Sequence, residues 1–191
     1  MSRPKEFDPE VAVEAAMRAF WQKGYAQTTP QDLVEALGIG KGSLYNAFGS
    51  KRGLFDLALR RYQRYQEETI GAIVDQPGPV KDRLRAAFVY LVRTNVDGTW
   101  PRGCLAVNTA TELGADGEAA AAVARSFDRT ESAIRALLVE GRATGEIGPQ
   151  VDPDRTASML LAVTMGIQVA ARASDDPGRL DRMVDGALAA L

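Results

Sequence analysis

The 191-residue chain contains no histidine. That absence excludes a Ser-His-Asp or Cys-His catalytic arrangement and any histidine-ligated metal within the chain, so neither an enzyme nor a cofactor or metal site is expected. The single cysteine, Cys104, has no partner for an intrachain disulfide, in keeping with a reducing, cytoplasmic setting. No period-two pattern of useful length announces a strand, and no internal repeat is present. The opening residues MSRPKEFDPE are charged and lack the apolar stretch of a leader, and no apolar run approaches membrane-spanning length, so no membrane partner is expected. Charge of one sign is also missing: 23 Lys/Arg against 25 Asp/Glu give a net charge of -2, so contact with nucleic acid has to come from a local patch. Hydrophobic residues make up 46% of the chain, enough to build a core, so an ordered fold is expected.

Helical periodicity is what the sequence does hold. Asp8-Pro9, Thr29-Pro30, Asp152-Pro153 and Asp176-Pro177 each precede a run with apolar residues at helical spacing. In each pair the polar side chain can accept a hydrogen bond from a free N–H, and proline is tolerated in the first turn. The pattern predicts a first helix over about 9–23, with Val11, Ala12, Ala15, Ala16, Ala19 and Phe20 on its packed side and its end near Gly24, and two short helices flanking Leu37-Gly38-Ile39-Gly40. A fourth runs from Lys51 to about Val74 with Leu54, Leu57, Ala58, Arg61, Tyr65 and Thr69 on one stripe. A fifth covers about 80–96, a sixth Cys104 to Leu113, and a seventh Gly117 to about Thr144. The eighth, after Pro153, is apolar over most of its circumference, as expected of a helix buried on more than one side, and the ninth starts at Pro177. The expected fold is all-α with about nine helices: an N-terminal three-helix helix-turn-helix domain over residues 1–50 and a larger C-terminal helical bundle over residues 51–191.

The most informative stretch runs from Thr28 to Phe55. Leu33 and Leu37 lie four apart on one short helix, Leu44 and Phe48 repeat that spacing on the next, and the glycine-rich joint suits a sharp corner. The second of these helices turns Lys41, Gly42, Ser43, Tyr45 and Asn46 away from the packed face. A DNA major groove admits an α-helix read from the exposed side of its first turns, which is the demand this row meets. Gly42 permits close backbone approach, Ser43 and Asn46 supply donors and acceptors, and Lys41 and Tyr45 can reach phosphates or bases. Thr29 and Gln31 at the preceding helix start, and Lys51 at the next, are placed for phosphate contacts. Residues 1–52 carry seven Lys/Arg and six Asp/Glu, so attraction has to come from clustering of Lys41, Lys51 and Arg52. The bland alternative is a solvated polar face. For the whole chain it is a helical ligand-binding or scaffold protein without DNA binding.

Phe20-x-x-x-Gly24-Tyr25, Thr29, Leu37-Gly38-Ile39, Gly42-Ser43-Leu44-Tyr45-x-x-Phe48 and Lys51-x-x-Leu54 follow one another in a continuous stretch. Through them the N-terminal fifty-odd residues resemble the DNA-binding domain of the TetR family of transcriptional regulators. The resemblance implies a third helix in the major groove, a fourth that links to the larger domain, and last two helices that form a dimer interface. It implies a homodimer on a pseudo-palindromic double-stranded DNA operator, most often a repressor, released by a small-molecule effector of unknown identity bound among helices five to eight. Pro30 departs from the pattern, standing where some members carry a basic DNA-contacting residue. Beyond about residue 60 the resemblance is architectural.

Candidates for lining an effector pocket are Phe88, Trp100, Cys104, Asn108, Thr111, Phe127, Met165 and Gln168, with ordinary core or dimer surface as the alternative for each. Cys104 follows Arg102-Gly103 at a helix start, where the cation and the helix dipole both favour thiolate. It reads either as a thiol that senses oxidants or electrophiles or as a small buried apolar residue. Met159, Leu160, Val163 and Ile167 with Leu180, Val184, Leu188 and Leu191 offer a face for self-association into a four-helix bundle, burial within one subunit being the alternative.

Overall fold

The computed structural model describes residues 7–93, 101, 103–114, 117–173, 176–189 and 191. Among them the chain forms nine α-helices and no strand: α1 (Pro9–Lys23), α2 (Pro30–Leu37), α3 (Lys41–Phe48), α4 (Lys51–Val74), α5 (Val80–Arg93), α6 (Leu105–Leu113), α7 (Gly117–Thr144), α8 (Pro153–Ala173) and α9 (Pro177–Leu188). The expected element order holds, with the fifth helix described to Arg93.

The helix starts follow from local chemistry. Asp8 accepts from the Glu10 N–H at 2.8 Å, Ser50 from Gly53 at 3.0 Å, and Asp176 from Arg179 at 3.1 Å. At α2 the cap is reciprocal. Thr29 accepts from the Asp32 N–H while the Asp32 carboxylate accepts from the Thr29 N–H, satisfying two donors at once. Gly38 ends α2 at φ 64°, a left-handed conformation that costs a side-chain-bearing residue energy and lets the chain turn directly toward α3.

Two apolar clusters form the interior. One joins α5, α7, α8 and α9 through Leu84, Phe88, Leu138, Leu160, Ile167, Leu180 and Val184. The other joins α1 to α4 through Met17, Phe20, Trp21, Leu33, Leu44, Leu54 and Phe55, and it extends into Leu105 and Ala106 of α6 and Ala119 and Val123 of α7. The N-terminal core therefore runs well past residue 50 in the sequence.

Three helix faces differ from expectation. The buried stripe of α4 is Leu54, Phe55, Ala58, Leu59, Tyr62 and Gln63, because α1 and, further along, α6 and α7 pack on it; Leu57 is 36% exposed. α8 is not enclosed on most sides: Met159 is 41% and Val169 54% exposed, while Leu160, Ile167 and Ala171 are buried. This helix is long and apolar enough to cross a membrane by length and composition, contrary to the sequence reading, yet its buried side belongs to the protein core. On α1, Val11 faces solvent, and Met17 and Trp21 are buried in its place.

Candidate functional site

The helix-turn-helix presents α3 as expected. Leu44 is buried, Tyr45 and Phe48 are part-buried against the core, and Lys41, Gly42, Ser43 and Asn46 are exposed. α2 and α4 start on side-chain caps, whereas α3 starts at Gly40, which supplies none. The first N–H groups of α3 thus face outward without a local acceptor, beside Lys41, with the partial positive charge of a helix start.

The flanking contacts are more constrained than the sequence suggests. The Thr29 hydroxyl donates to Asp32 at 2.9 Å and accepts from its N–H, so Thr29 serves as a cap and not as the free phosphate donor expected. Lys23 reaches the same carboxylate at 2.6 Å. Its hydrogen bond, with those from Thr29, holds the Asp32 carboxyl at about 2, down from 3.8, so this acid stays ionised and neutralised beside the reading face. Gln31 is exposed and donates to Glu35 at 2.9 Å. Lys51 sits 4.4 Å over the Tyr25 ring with its ammonium 3.4 Å from the Ala26 carbonyl, leaving further N–H directions open. Sequence reasoning missed Lys23 and Asp32 as a charge pair, although the capping-box spacing Thr29-x-x-Asp32 was there to find.

A cavity of about 230 Å³ lies between α4, α5, α6, α7 and α8. Five sequence candidates line it: Phe88, Cys104, Phe127, Met165 and Gln168. Asn108 and Thr111 do not, since the cavity meets α6 along Ala106 and Val107, and Thr111 lies exposed with its hydroxyl bonded back to Val107 and Asn108. Trp100 and Arg102 fall outside the described residues. Tyr62, which the sequence did not single out, forms part of the wall, and its O–H donates to the Cys104 sulfur at 3.1 Å. Burial pushes the Cys104 thiol up, outweighing the lowering by Tyr62 and by the Val107 and Ala106 N–H groups. The expected preference for thiolate is therefore reversed: desolvation wins over the helix start.

Both ends of α6 hold the reading head. Near its start the Trp21 indole N–H donates to the Gly103 carbonyl at 3.1 Å. Near its end the Glu112 carboxylate accepts from the Tyr25 and Ala26 N–H groups at 2.7 and 2.5 Å. Gly24 makes this possible. At φ 84° it turns the chain after α1, and a Cβ there would come within 2.9 Å of Glu112 Oε2. Residues some 87 positions apart meet here, so no local signal could have revealed the pair.

The proposed self-association face needs redrawing. Leu160, Ile167, Leu180 and Val184 are 0–1% exposed within one subunit and cannot meet a partner, and Val163, Leu188 and Leu191 are part-buried against the same core. Of the eight residues, Met159 alone is exposed; with Ala162, Gly166 and Val169 it forms a solvent-facing stripe on α8.

Residues 12–58 match the family model described as bacterial regulatory proteins, tetR family, and residues 80–187 match the tetracyclin repressor-like C-terminal domain. The HTH-type transcriptional repressor ComR of Escherichia coli (strain K12) is 33% identical over 89% of this chain and 82% of its own length. An HTH-type transcriptional regulator of Bacillus subtilis (strain 168), YezE, is 31% identical over the whole of both chains. Among solved structures, a cysteine mutant of the TetR family transcriptional regulator CifR, complexed with 26-bp double-strand operator DNA, superposes with a TM-score of 0.85 at 28% identity, covering 99% of each chain.

Proposed function

Because this chain belongs to the TetR family and is a DNA-binding transcriptional regulator, we propose that it acts as a homodimeric repressor which leaves a pseudo-palindromic operator when a small molecule fills the cavity. The exposed, uncapped start of α3 carries this reading. It offers backbone N–H groups, Lys41, Ser43 and Asn46 on one outward row, with Tyr45 at its edge. In the complex, Ser43, Tyr45 and Asn46 read base edges while Lys41 and Lys51 hold phosphates, and two such heads sit about one DNA turn, ~34–36 Å, apart. Gln31 joins them once its amide exchanges Glu35 for a phosphate.

The Met159, Ala162, Gly166 and Val169 stripe of α8, with the outer side of α9, forms the dimer contact, where small residues allow close helix approach. Ligand in the cavity acts on α4 through Tyr62 and on α6 through Cys104, Ala106 and Val107. Both helices grip the reading head, so a shift in either changes the spacing of the two heads. Such coupling is typically about 1–3 kcal/mol, and DNA then weakens ligand binding by the same factor. A regulator working on DNA in this way acts in the cytoplasm.

Selection of bound sequences from random duplex DNA tests the reading. A palindromic product with half-sites one turn apart is the expected result, and equal affinity for selected and random DNA would contradict it.

A further inference from the structure

Resting on the reading of the cavity as the effector site, we propose that its ligand is an uncharged, largely apolar molecule with one hydrogen-bond-accepting oxygen, and that the Tyr62 hydroxyl is the group that binds that oxygen.

Size comes first. At about 230 Å³ the cavity exceeds the ~150 Å³ hole that takes up benzene in an engineered core, so it accommodates a longer skeleton. Its walls include Ile70, Leu84, Phe88, Phe127, Ile134 and Leu161. Charge comes second. Among the described lining residues only Glu67 and Arg129 are ionised, and they pair with each other, with side chains 42% and 58% exposed. A ligand charge among the apolar walls would lose its water and find the lining charges already paired with each other, which is the costly case. The buried phenol and thiol do not change this, since burial holds both in their neutral forms.

The polar anchor is identified by geometry. The Thr130 and Thr164 hydroxyls donate to the Ser126 and Leu160 carbonyls of their own helices at 3.0 and 2.8 Å. Tyr62 instead donates to a sulfur, a weak acceptor that a ligand oxygen displaces. Its ring is fixed edge-on against Trp21 at 4.8 Å, and the Trp21 indole is in turn tied to Gly103, so the hydroxyl waits in place.

The test uses the full-length protein without DNA, loaded with the neutral dye N-phenyl-1-naphthylamine, which contains no oxygen, and displaced at neutral pH by 1-octanol, octanoate or octylammonium. Octanol is expected to bind at least about a hundredfold more tightly than either ion. Tyr62→Phe should weaken octanol about tenfold and leave the dye's own affinity unchanged. Cys104→Ala removes the competing acceptor and should tighten octanol severalfold, which keeps the anchor testable if Tyr62→Phe folds poorly. Octanoate binding as well as octanol would overturn the ligand class, and octanol affinity unmoved in both variants would overturn the anchor. A subsequent titration of selected operator DNA separates the underlying reading: octanol that fills the cavity without lowering operator affinity overturns the effector role and leaves the ligand class standing.

Discussion

Asp32 shows how one side chain joins a helix cap to an ion pair. It completes the α2 cap and draws Lys23 against it. Its folded-state carboxyl lies near 2 against 3.8 in the free residue, so the unfolded chain takes up the proton first as pH falls. The stabilisation is complete above about pH 4 and is lost between there and pH 2. Urea midpoints of wild type and Asp32→Asn should therefore differ at neutral pH and converge at about pH 2. Lys51 is tested on DNA: Lys51→Ala should weaken operator binding and lower the slope of log affinity against log salt by about one. An unchanged slope would mean that the stacking on Tyr25 is all this lysine does. At this scale the sequence showed Lys51 and the row on α3, because both lie within one local motif. It did not show that Thr29 is consumed by its own cap, or that Tyr62 lies beside Cys104, since those facts depend on rotamers and on helices that meet far apart in sequence.

Elements were legible wherever a cap and a period of 3.6 coincided, which is why α1, α2, α4 and α9 begin where their capping residues put them. Which face each helix buries was less legible. α4 carries apolar or long side chains around much of its surface, and its layered neighbours decide which of them are covered. Gly53 gives a sharp test of the packing at its start. A Cβ there would lie 2.6 Å from the Phe48 carbonyl oxygen, a backbone atom that cannot swing aside, so α3 and α4 would have to separate. Gly53→Ala should cost about 1–3 kcal/mol of stability in urea unfolding and also lower operator affinity. Glu112→Ala acts on the join between elements. Hydrogen exchange at the Tyr25 and Ala26 amides should accelerate while exchange in α8 stays unchanged, and the response of DNA affinity to ligand should shrink.

For the whole molecule, the stripe on α8 and the core beneath it make separable predictions. Val169→Arg or Gly166→Arg should give a folded monomer in sedimentation, with operator affinity lost because a single head spans one half-site. Leu160→Ala should instead cost about 2–5 kcal/mol of stability, since Leu160 is fully buried inside the subunit. A sequence reading that merges the two sets cannot distinguish them, because Met159 and Leu160 are equally apolar and adjacent. Only the fold tells which of the two faces away from the core.

The grip of α6 on α1 bears on how such proteins can be recombined. Trp21, Ala16 and Phe55 share a core with Leu105 and Ala106, and Glu112 closes the corner after Gly24. A chimera cut after residue 50 would pass the reading head to a foreign sensor with part of its interior uncovered. The portable unit is discontinuous: helices α1 to α4 travel with α6 and the opening turns of α7, and a graft that respects this seam keeps the interior of the reading head covered.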